Sequence, residues 1–177
     1  MIMVNQIIRN KLLVKPIKNG FTLIEVMVTI TVLSVLLVIG IPTYQRFTNT
    51  QKIKYATFDL MADLMLARSE AIKRNTSINI SSLTGKCWNE GWQIKNGSVT
   101  IISHDSLDGV SIIDSVNTSS NCSNIPIITY NSAGRLSSSV ITFTIDAYPS
   151  TSSTTVRCIS IDFSGRARSY LQTGSSC

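Results

Sequence analysis

The sequence Gly20-Phe21-Thr22-Leu23-Ile24-Glu25 opens an apolar segment that ends at Ile41-Pro42. No charged side chain lies between Val26 and Gln45. As a helix, which rises about 1.5 Å per residue, the segment from Phe21 to Ile41 would be about 31 Å long. This length matches the hydrocarbon core of a bilayer, which is about 30 Å thick. We therefore predict a membrane-spanning helix that carries a single acid, Glu25, near its start.

Glu25 occupies an unfavourable position. A carboxylate within a membrane segment costs about 2.5–3.5 kcal/mol on insertion scales, and such residues usually have a function. Cleavage between Gly20 and Phe21 would create a new ammonium group close to Glu25 in the sequence. The ammonium of a neighbouring copy would be an equivalent partner. The alternative is an acid that reaches the water interface and has no role.

Residues 20–25 resemble the processing site of type IV prepilins and type II secretion pseudopilins, and Pro42 stands where helices of that family commonly carry a proline. The resemblance implies that a prepilin peptidase cleaves between Gly20 and Phe21 and methylates the amino group of Phe21. It also implies that Glu25 pairs with the amino terminus of a neighbouring pilin during filament assembly. Partners would then be other pilins or pseudopilins, the peptidase, and membrane lipid before assembly.

The distribution of charge indicates how the chain is oriented. The 177 residues carry a net charge of +6, and four of the sixteen basic residues but none of the ten acids lie in residues 1–20. Removal of this leader therefore lowers the net charge to +2. A basic leader favours the cytoplasmic side, but Arg46, Lys52 and Lys54 weaken that bias. With support from the resemblance, we expect a single-pass protein of the bacterial inner membrane with a periplasmic carboxyl-terminal part, assembled into a type IV pilus or pseudopilus at the cell surface.

The helix is predicted to continue beyond Pro42. Residues 44–74 contain no glycine or proline, and apolar residues recur at a spacing typical of one helical face: Phe58, Met61, Leu64/Met65 and Ala71/Ile72. A proline can kink a helix without ending it. The expected organisation is a leader at 1–20, a transmembrane or filament-core helix at 21–42, an amphipathic continuation at 43–75 and a periplasmic β-rich head at 76–177.

The head is predicted to consist of antiparallel strands. Asn96-Gly97 is a strong signal for the tip of a hairpin formed by residues 93–101. Alternating and β-branched runs predict the other strands: Ser77–Ser81, Val110–Asp114, Ile125–Tyr130, Val140–Ile145 and Val156–Phe163. Two polar segments, Asn117–Asn124 and Ser150–Thr155, are predicted to be loops.

Four cysteines lie in the predicted head: Cys87, Cys122, Cys158 and Cys177. An even number in an oxidising compartment indicates two disulfides, for which three pairings are possible. We favour Cys87–Cys122 and Cys158–Cys177, the second of which would hold the carboxyl-terminal tail on the last strands. The alternative is a zinc site, but no two cysteines have the C-x-x-C spacing and His104 is the only histidine.

Three segments of the head resemble the GspH/FimT branch of the pseudopilins: Cys87–Trp92, Tyr130–Arg135 and Ile161–Arg166. The resemblance implies an α+β pseudopilin fold, in which the long amino-terminal helix packs on a β-sandwich-like head of two small antiparallel sheets. We expect both tryptophans of the first segment to be buried against a helix.

We find no set of residues that predicts catalysis. His104-Asp105-Ser106 has the residue types of a nucleophile and a base, but adjacent residues in a polar turn do not converge on one site. Asp105 and Asp108 lack a calcium-binding loop, and no phosphate-binding glycine motif is present. We therefore expect no enzymatic activity, no metal and no cofactor.

The strongest candidate for a functional site is Gly165-Arg166-Ala167-Arg168. Glycine at position 165 permits the positive φ of a tight turn. Strand alternation would then place Arg166 and Arg168 on one side, about 6.6–7 Å apart, and each guanidinium can bind phosphate oxygens in a bidentate manner. Two further arginines, Arg135 and Arg157, are weaker candidates for the same patch.

The residues Gly165, Arg166 and Arg168 resemble the Gly-Arg-x-Arg signature of FimT-type minor pilins, which are DNA receptors of the type IV pilus machinery in natural transformation. The resemblance implies that these residues bind DNA through its phosphates, without sequence preference. Tyr170 is a candidate for stacking on a base, or is simply an exposed strand residue. The alternative function is that of a GspH-like minor pseudopilin with a structural role in a type II secretion or type IV pilus filament and no affinity for DNA.

Overall fold

The computed structural model describes residues 20–83, 87–116, 122, 125–149, 155–174 and 176–177. Residues 1–19 of the predicted leader lie outside the described residues. So do the predicted loops Asn117–Asn124 and Ser150–Thr155, apart from Cys122 and Thr155. The described part contains one long α-helix, a short 3₁₀ helix and eight strands.

Helix α1 runs from Leu23 to Arg74 and includes Pro42. The hydroxyl oxygen of Thr22 accepts a hydrogen bond of 3.3 Å from the backbone N–H of Glu25, which is half of the Thr-x-x-Glu capping box that often begins a helix. Residues up to Pro42 form one compact unit and residues from Thr43 form another. An 18-residue stretch of α1 has a mean hydropathy of 2.6, so this helix is long and apolar enough to cross a membrane.

Within the second unit, α1 buries one face. The buried apolar residues recur every three or four positions, as expected for a helix packed on one side: Ile53, Ala56, Leu60, Leu64, Ala67 and Ala71. The face predicted from the sequence is partly wrong, because Phe58, Met65 and Ile72 are more than half exposed. The face that packs on the head is thus shifted from the predicted one, and half of its buried apolar residues are alanines.

In the described residues, the head contains two four-stranded sheets whose strands pair in antiparallel fashion. The first sheet has the order β3-β2-β1-β5 and the second β4-β6-β7-β8. In chain order the strands are β1 Ile78–Ser82, β2 Trp92–Asn96, β3 Val99–His104, β4 Val110–Asp114, β5 Ile128–Tyr130, β6 Ile141–Ala147, β7 Thr155–Ile161 and β8 Ala167–Thr173.

Several sequence predictions in the head need correction. Strand β1 is Ile78–Ser82 rather than Ser77–Ser81, and β6 is Ile141–Ala147 rather than Val140–Ile145. Strand β7 ends at Ile161 rather than Phe163, because Asp162 begins a hydrogen-bonded turn. Strand β5 begins at Ile128 rather than Ile125. His104 is the last residue of β3 rather than part of a polar turn, and its ring stacks on Trp92 with centroids 4.3 Å apart.

Both tryptophans are buried in the core, as predicted. The indole N–H of Trp92 donates to Asp63 Oδ2 on α1 at 2.7 Å. The indole N–H of Trp88 donates to Asp114 Oδ2 on β4 at 3.2 Å. A buried donor without an acceptor is costly, so these two carboxylates allow the large rings to be buried, Trp92 against α1 and Trp88 against β4 and Phe143 of β6.

Two disulfides are present, and they join the pairs that the sequence favours. Cys87 is bonded to Cys122 and Cys158 to Cys177, with S–S distances of 2.05 and 2.06 Å. The backbone N–H of Cys177 also donates to the hydroxyl of Thr144 on β6 at 3.1 Å. The end of the chain is therefore held on the second sheet.

Candidate nucleic-acid interface

The hairpin between β7 and β8 is closed by the turn Asp162–Arg166. The N–H of Gly165 donates to the Asp162 carbonyl at 2.9 Å, and the N–H of Asp162 donates to the Arg166 carbonyl at 3.4 Å. The carboxylate Oδ1 of Asp162 accepts from the Ser164 hydroxyl and from the N–H of Arg166. Gly165 has a φ of 78°, which a β-carbon would disfavour. This is the common three-residue hairpin loop with glycine at its bulge.

The turn Asn131–Arg135, which follows β5, has the same construction. The N–H of Gly134 donates to the Asn131 carbonyl at 2.8 Å, and the N–H of Asn131 donates to the Arg135 carbonyl at 2.9 Å. The amide Oδ1 of Asn131 accepts from the N–H of Arg135 at 3.0 Å, and Gly134 has a φ of 69°. Each turn thus has asparagine or aspartate first, glycine fourth and arginine fifth.

The two turns contact each other and α1. A β-carbon on Gly165 would lie 2.2 Å from the carbonyl oxygen of Gly134. The N–H of Leu136 donates to the Phe163 carbonyl at 3.3 Å, which joins the turns by a hydrogen bond. A β-carbon on Gly134 would in turn lie 2.6 Å from Ile72 Cδ1 on α1. The two glycines therefore bring the segments that carry Arg135 and Arg166 together.

Arg135, Arg166 and Arg168 are all exposed. Ala167, between the last two, is buried in the core with an exposure of 7%. Side chains alternate along an extended chain, so Arg166 and Arg168 lie on the same side as each other, opposite to that of the buried Ala167. We call Arg135, Arg166 and Arg168 the arginine cluster.

Arg157 is not brought to this cluster. It lies on β7 directly opposite Leu171 of β8, and residues paired in this way share a face of the sheet. Arg168 and Tyr170 occupy the alternate positions of β8, on the other face. Arg157 is half-buried, whereas Tyr170 is 42% exposed. The structure therefore places Tyr170, but not Arg157, on the same face of β8 as Arg168.

The guanidinium groups of the cluster are available to a ligand. In the part of the chain that the structure describes, no carboxylate lies within 4 Å of any of the three; the ion pairs found there join Glu70 to Lys73 and Arg74, and Asp59 to His104. A hydrogen bond from the Ser164 hydroxyl, aided by backbone N–H groups and by the charge of Arg168, lowers the pKa of Asp162. Asp162 is therefore ionised at neutral pH and places one negative charge beside the arginines.

Sequence reasoning did not identify Asp162 as part of this surface, because it precedes the Gly-Arg-x-Arg motif. A signal was present: the pattern Asx-x-x-Gly-Arg occurs twice, at Asn131–Arg135 and at Asp162–Arg166. The repetition predicts two turns of one type, but not their contact, which depends on long-range packing.

A groove adjoins the cluster, between the second-unit part of α1 and the start of β8. Its volume is about 620 Å³. Arg68 lines it, and the Nε of Arg68 is buried without a hydrogen-bond partner in the structure. Burial also raises the pKa of Tyr130, which lies beneath Gly165, to about 12. The helix contributes Met61, Leu64, Met65, Arg68, Ser69 and Ile72 to the groove, and the strand side contributes residues 165–169.

The family model described as Type II transport protein GspH matches residues 56–165, well over half of the chain. The chain belongs to the GspH family. A second model, the prokaryotic N-terminal methylation motif, matches residues 16–41 of this GspH-family protein. That match includes Gly20, Phe21 and Glu25, and it implies processing of the kind that prepilins undergo.

Solved structures confirm the predicted fold of a long helix followed by an antiparallel β-sheet head. The GspH-family chain is similar to the type IV minor pilin FimU of Pseudomonas aeruginosa, with a TM-score of 0.59 and 25% identity over 74% of this chain and 98% of FimU. It is also similar to the minor pseudopilin EpsH from the type 2 secretion system of Vibrio cholerae, with a TM-score of 0.50 and 11% identity over 69% of this chain and 97% of EpsH. The latter likeness shows the fold alone.

A fimbrial protein of Neisseria meningitidis serogroup A is 30% identical over 93 residues, which cover 48% of this chain and 54% of the relative. The chain thus spans about half the length of that protein. The family match, taken with the likeness to FimU, makes the GspH-family chain a minor pilin or pseudopilin of the type IV pilus or type II secretion kind. Such proteins are structural subunits rather than enzymes, and the apolar α1 fits a membrane-anchored member of the group.

Proposed function

We propose that this subunit is a FimT-type minor pilin that binds extracellular DNA without sequence preference and aids DNA uptake in natural transformation. The observation that supports the proposal is the arginine cluster, in which three exposed guanidinium groups come from two contacting turns and the start of β8. Gly165 contributes by allowing the turn rather than by contacting DNA. Arg157, on the other face of the sheet, is at most an outlying member of the surface.

The spacing of the arginines suits a polyphosphate. Arg166 and Arg168 are two residues apart in an extended chain, about 6.6–7 Å, which is close to the separation of successive phosphates along one DNA strand. Each guanidinium can form paired hydrogen bonds to one phosphate. Contacts to phosphates position a protein on DNA but do not read its sequence.

The proposal includes the route by which the head reaches extracellular DNA. A prepilin peptidase cleaves between Gly20 and Phe21 and methylates Phe21, and the helix at 21–42 holds the subunit in the inner membrane with its head, residues 76–177, in the periplasm. During assembly, Glu25 pairs with the amino terminus of a neighbouring pilin. The amphipathic continuation at 43–75 carries the head on the resulting filament.

A structural role without DNA binding is the second candidate, and one observation favours it. The GspH model matches residues 56–165 and ends before Arg166. Membership of the family therefore does not depend on the Arg166–Arg168 pair, and a GspH-like pseudopilin could have solvated arginines at these positions.

A DNA titration of the mature chain in detergent micelles separates the two functions. We expect duplexes of unrelated sequence to bind equally, and the affinity to fall with salt at a logarithmic slope of about −0.9 for each phosphate contacted. Arg166→Ala with Arg168→Ala should abolish most of this binding and reduce the slope by about 2, with an unchanged circular dichroism spectrum. Arg46→Ala with Lys95→Ala removes the same charge elsewhere and should have little effect. Unchanged binding by the first double variant would contradict the proposal.

A further inference from the structure

We propose that the arginine cluster and the adjoining groove form a site for single-stranded DNA, with the phosphates on the arginines and one unstacked base in the groove. This inference rests on the proposed DNA binding and specifies its substrate. A duplex keeps its bases paired inside and presents phosphates to a surface, whereas a single strand can turn a base towards the protein.

The size and walls of the groove suit a base. Its volume of about 620 Å³ lies within the range of about 300–1,000 Å³ that is typical of small-molecule sites. Met61, Leu64, Met65 and Ile72 give it apolar walls, while Arg166 and Arg168 line its other side. A flat group with an apolar face, linked through a sugar to a phosphate, satisfies both sides of such a groove. A nucleotide of an unpaired strand has these properties.

Arg68 gives the groove a polar group of its own. Its Nε is buried and has no hydrogen-bond partner in the structure, and a buried donor without an acceptor is unfavourable. Arginine planes stack on unpaired bases, and their N–H groups donate to base edges. Arg68 lies among apolar side chains of α1 and faces the same groove as Arg166 and Arg168, so it can contact the base while those two hold phosphates.

Exposed aromatic residues accompany the arginines. Tyr170 is 42% exposed on the face of β8 that carries Arg168, and Phe163 is 63% exposed in the turn Asp162–Arg166. Basic side chains interleaved with exposed aromatic rings are typical of surfaces that bind single strands, because successive bases stack on the rings. An acidic peptide would fit the groove and the arginines, but it would make no use of Tyr170 and Phe163, which lie outside the groove.

The test compares an unstructured oligothymidine with a hairpin duplex that has the same number of phosphates, using fluorescence anisotropy and the mature chain in detergent micelles. We expect the single strand to bind several-fold more tightly. Ser69→Phe places a ring in the groove and should weaken single-strand binding about tenfold while duplex binding stays within about twofold. Ala62→Phe is the matched control, since Ala62 is exposed on the same helix but does not line the groove. It should change neither affinity.

A second variant, Tyr170→Ala, does not depend on filling the groove. It too should weaken the binding of the single strand but not that of the duplex. Equal affinity for single strand and duplex, with Ser69→Phe affecting both alike or neither, would overturn this inference and leave the proposed DNA binding intact. If the unmodified chain binds neither the single strand nor the duplex, the proposed function itself would be overturned. A glutamate-rich peptide that competes with the oligonucleotide for wild type but not for Ser69→Phe would assign the groove to a protein partner and would also overturn the inference.

Discussion

Gly165 packs directly against Gly134, so that a β-carbon on Gly165 would lie 2.2 Å from the Gly134 carbonyl oxygen and 3.0 Å from the ring of Tyr130. Neither glycine is interchangeable with alanine, since both have positive φ and both lack space for a side chain. The contact sets where Arg135 lies relative to Arg166. The backbone of two turns, rather than interactions among the arginines themselves, therefore assembles the cluster.

Substitution of Gly165 by alanine should reveal this contact. Gly97 has a similar φ of 58° but nothing within 4 Å of its added β-carbon, so Gly97→Ala measures backbone strain alone. That strain is about 1–2 kcal/mol. Gly165→Ala should lower the free energy of unfolding by more, because the turns must also separate, and it should weaken DNA binding. If urea denaturation shows that Gly165→Ala and Gly97→Ala lower the free energy of unfolding equally, the turns move apart at no cost.

The stability of the Asp162–Arg166 turn should depend on pH. Because the pKa of Asp162 is lowered in the folded state, chiefly by the Ser164 hydroxyl, its contribution to stability is present above the ordinary carboxyl range, near 4. It is lost as the pH falls through the lowered pKa. Asp162→Asn should keep the turn, as Asn131 does in the other one, and remove this dependence. Urea denaturation of the unmodified protein and of Asp162→Asn, between neutral pH and about pH 2.5, measures how the free energy of unfolding depends on pH. The same dependence in both proteins would contradict the role of Asp162.

The same variant should strengthen DNA binding. Asp162→Asn removes the negative charge beside Arg166 and Arg168 without removing the Oδ1 acceptor that orders the turn. We expect a few-fold higher affinity at low salt and a smaller gain at high salt, since exposed charges are screened. Asp146→Asn, on β6, is the control for a change in net charge alone. A similar gain in both variants would mean that Asp162 has no local effect.

The buried hydrogen bond between Trp92 and Asp63 should be important for stability. Asp63→Ala leaves the indole N–H without its acceptor, which we expect to lower the free energy of unfolding by about 1–3 kcal/mol. Asp63→Asn retains an oxygen acceptor and should cost less. Asp59→Ala removes a half-exposed carboxylate of the same helix, which lies 3.5 Å from His104 rather than from an indole, and it should cost less than Asp63→Ala. Thermal and urea denaturation rank the three variants, and a loss in Asp59→Ala as large as that in Asp63→Ala would argue against a specific role of the Trp92–Asp63 hydrogen bond.

The disulfide that closes the longer loop should contribute slightly more to stability, because loop-closure entropy grows with the logarithm of loop length. Cys158 and Cys177 are 19 residues apart and Cys87 and Cys122 are 35 apart, for which the loop-closure estimates are about 3 and 4 kcal/mol. Paired serine substitutions should lower the free energy of unfolding by about these amounts. Mass spectrometry of alkylated, non-reduced protein should detect no free thiols. Two alkylated cysteines would mean that one of the two disulfides is not formed.

Glu25 should be needed for assembly but not for membrane insertion. Glu25→Ala removes a charge from the apolar segment, so insertion should be unaffected while incorporation into filaments is impaired. Glu25→Gln separates charge from helix capping, because glutamine also serves at this position of a capping box. Fractionation of membranes and sheared filaments measures both steps. Normal incorporation of Glu25→Gln would show that the charge has no part in assembly.

The sequence predicts the fold because its local signals agree with the tertiary structure. Asn96-Gly97 marks the β2–β3 hairpin, and the charge-free run before Gln45 marks the apolar first part of α1. The buried face of α1 is harder to predict. Ala56 and Ala67, which the predicted face did not include, are weakly hydrophobic, and their burial depends on which side of α1 packs on the head.

The candidate site is predictable only in part. Arg166 and Arg168 form a local motif, and burial of Ala167 follows from strand alternation. The contact between Gly165 and Gly134 and the position of Arg68 in the groove depend on how α1 packs against distant turns. Such contacts have no signature in the spacing of residues along one segment.

The first residue of each turn, Asn131 or Asp162, supplies the same oxygen whether it is an amide or an acid. Codons for asparagine and aspartate differ by one base. A single point mutation can therefore add or remove an anion beside the guanidinium groups while the backbone stays as it is. Under the proposed function, one codon change would therefore alter the charge that a DNA phosphate meets, while the hydrogen bonds that order the turn are kept.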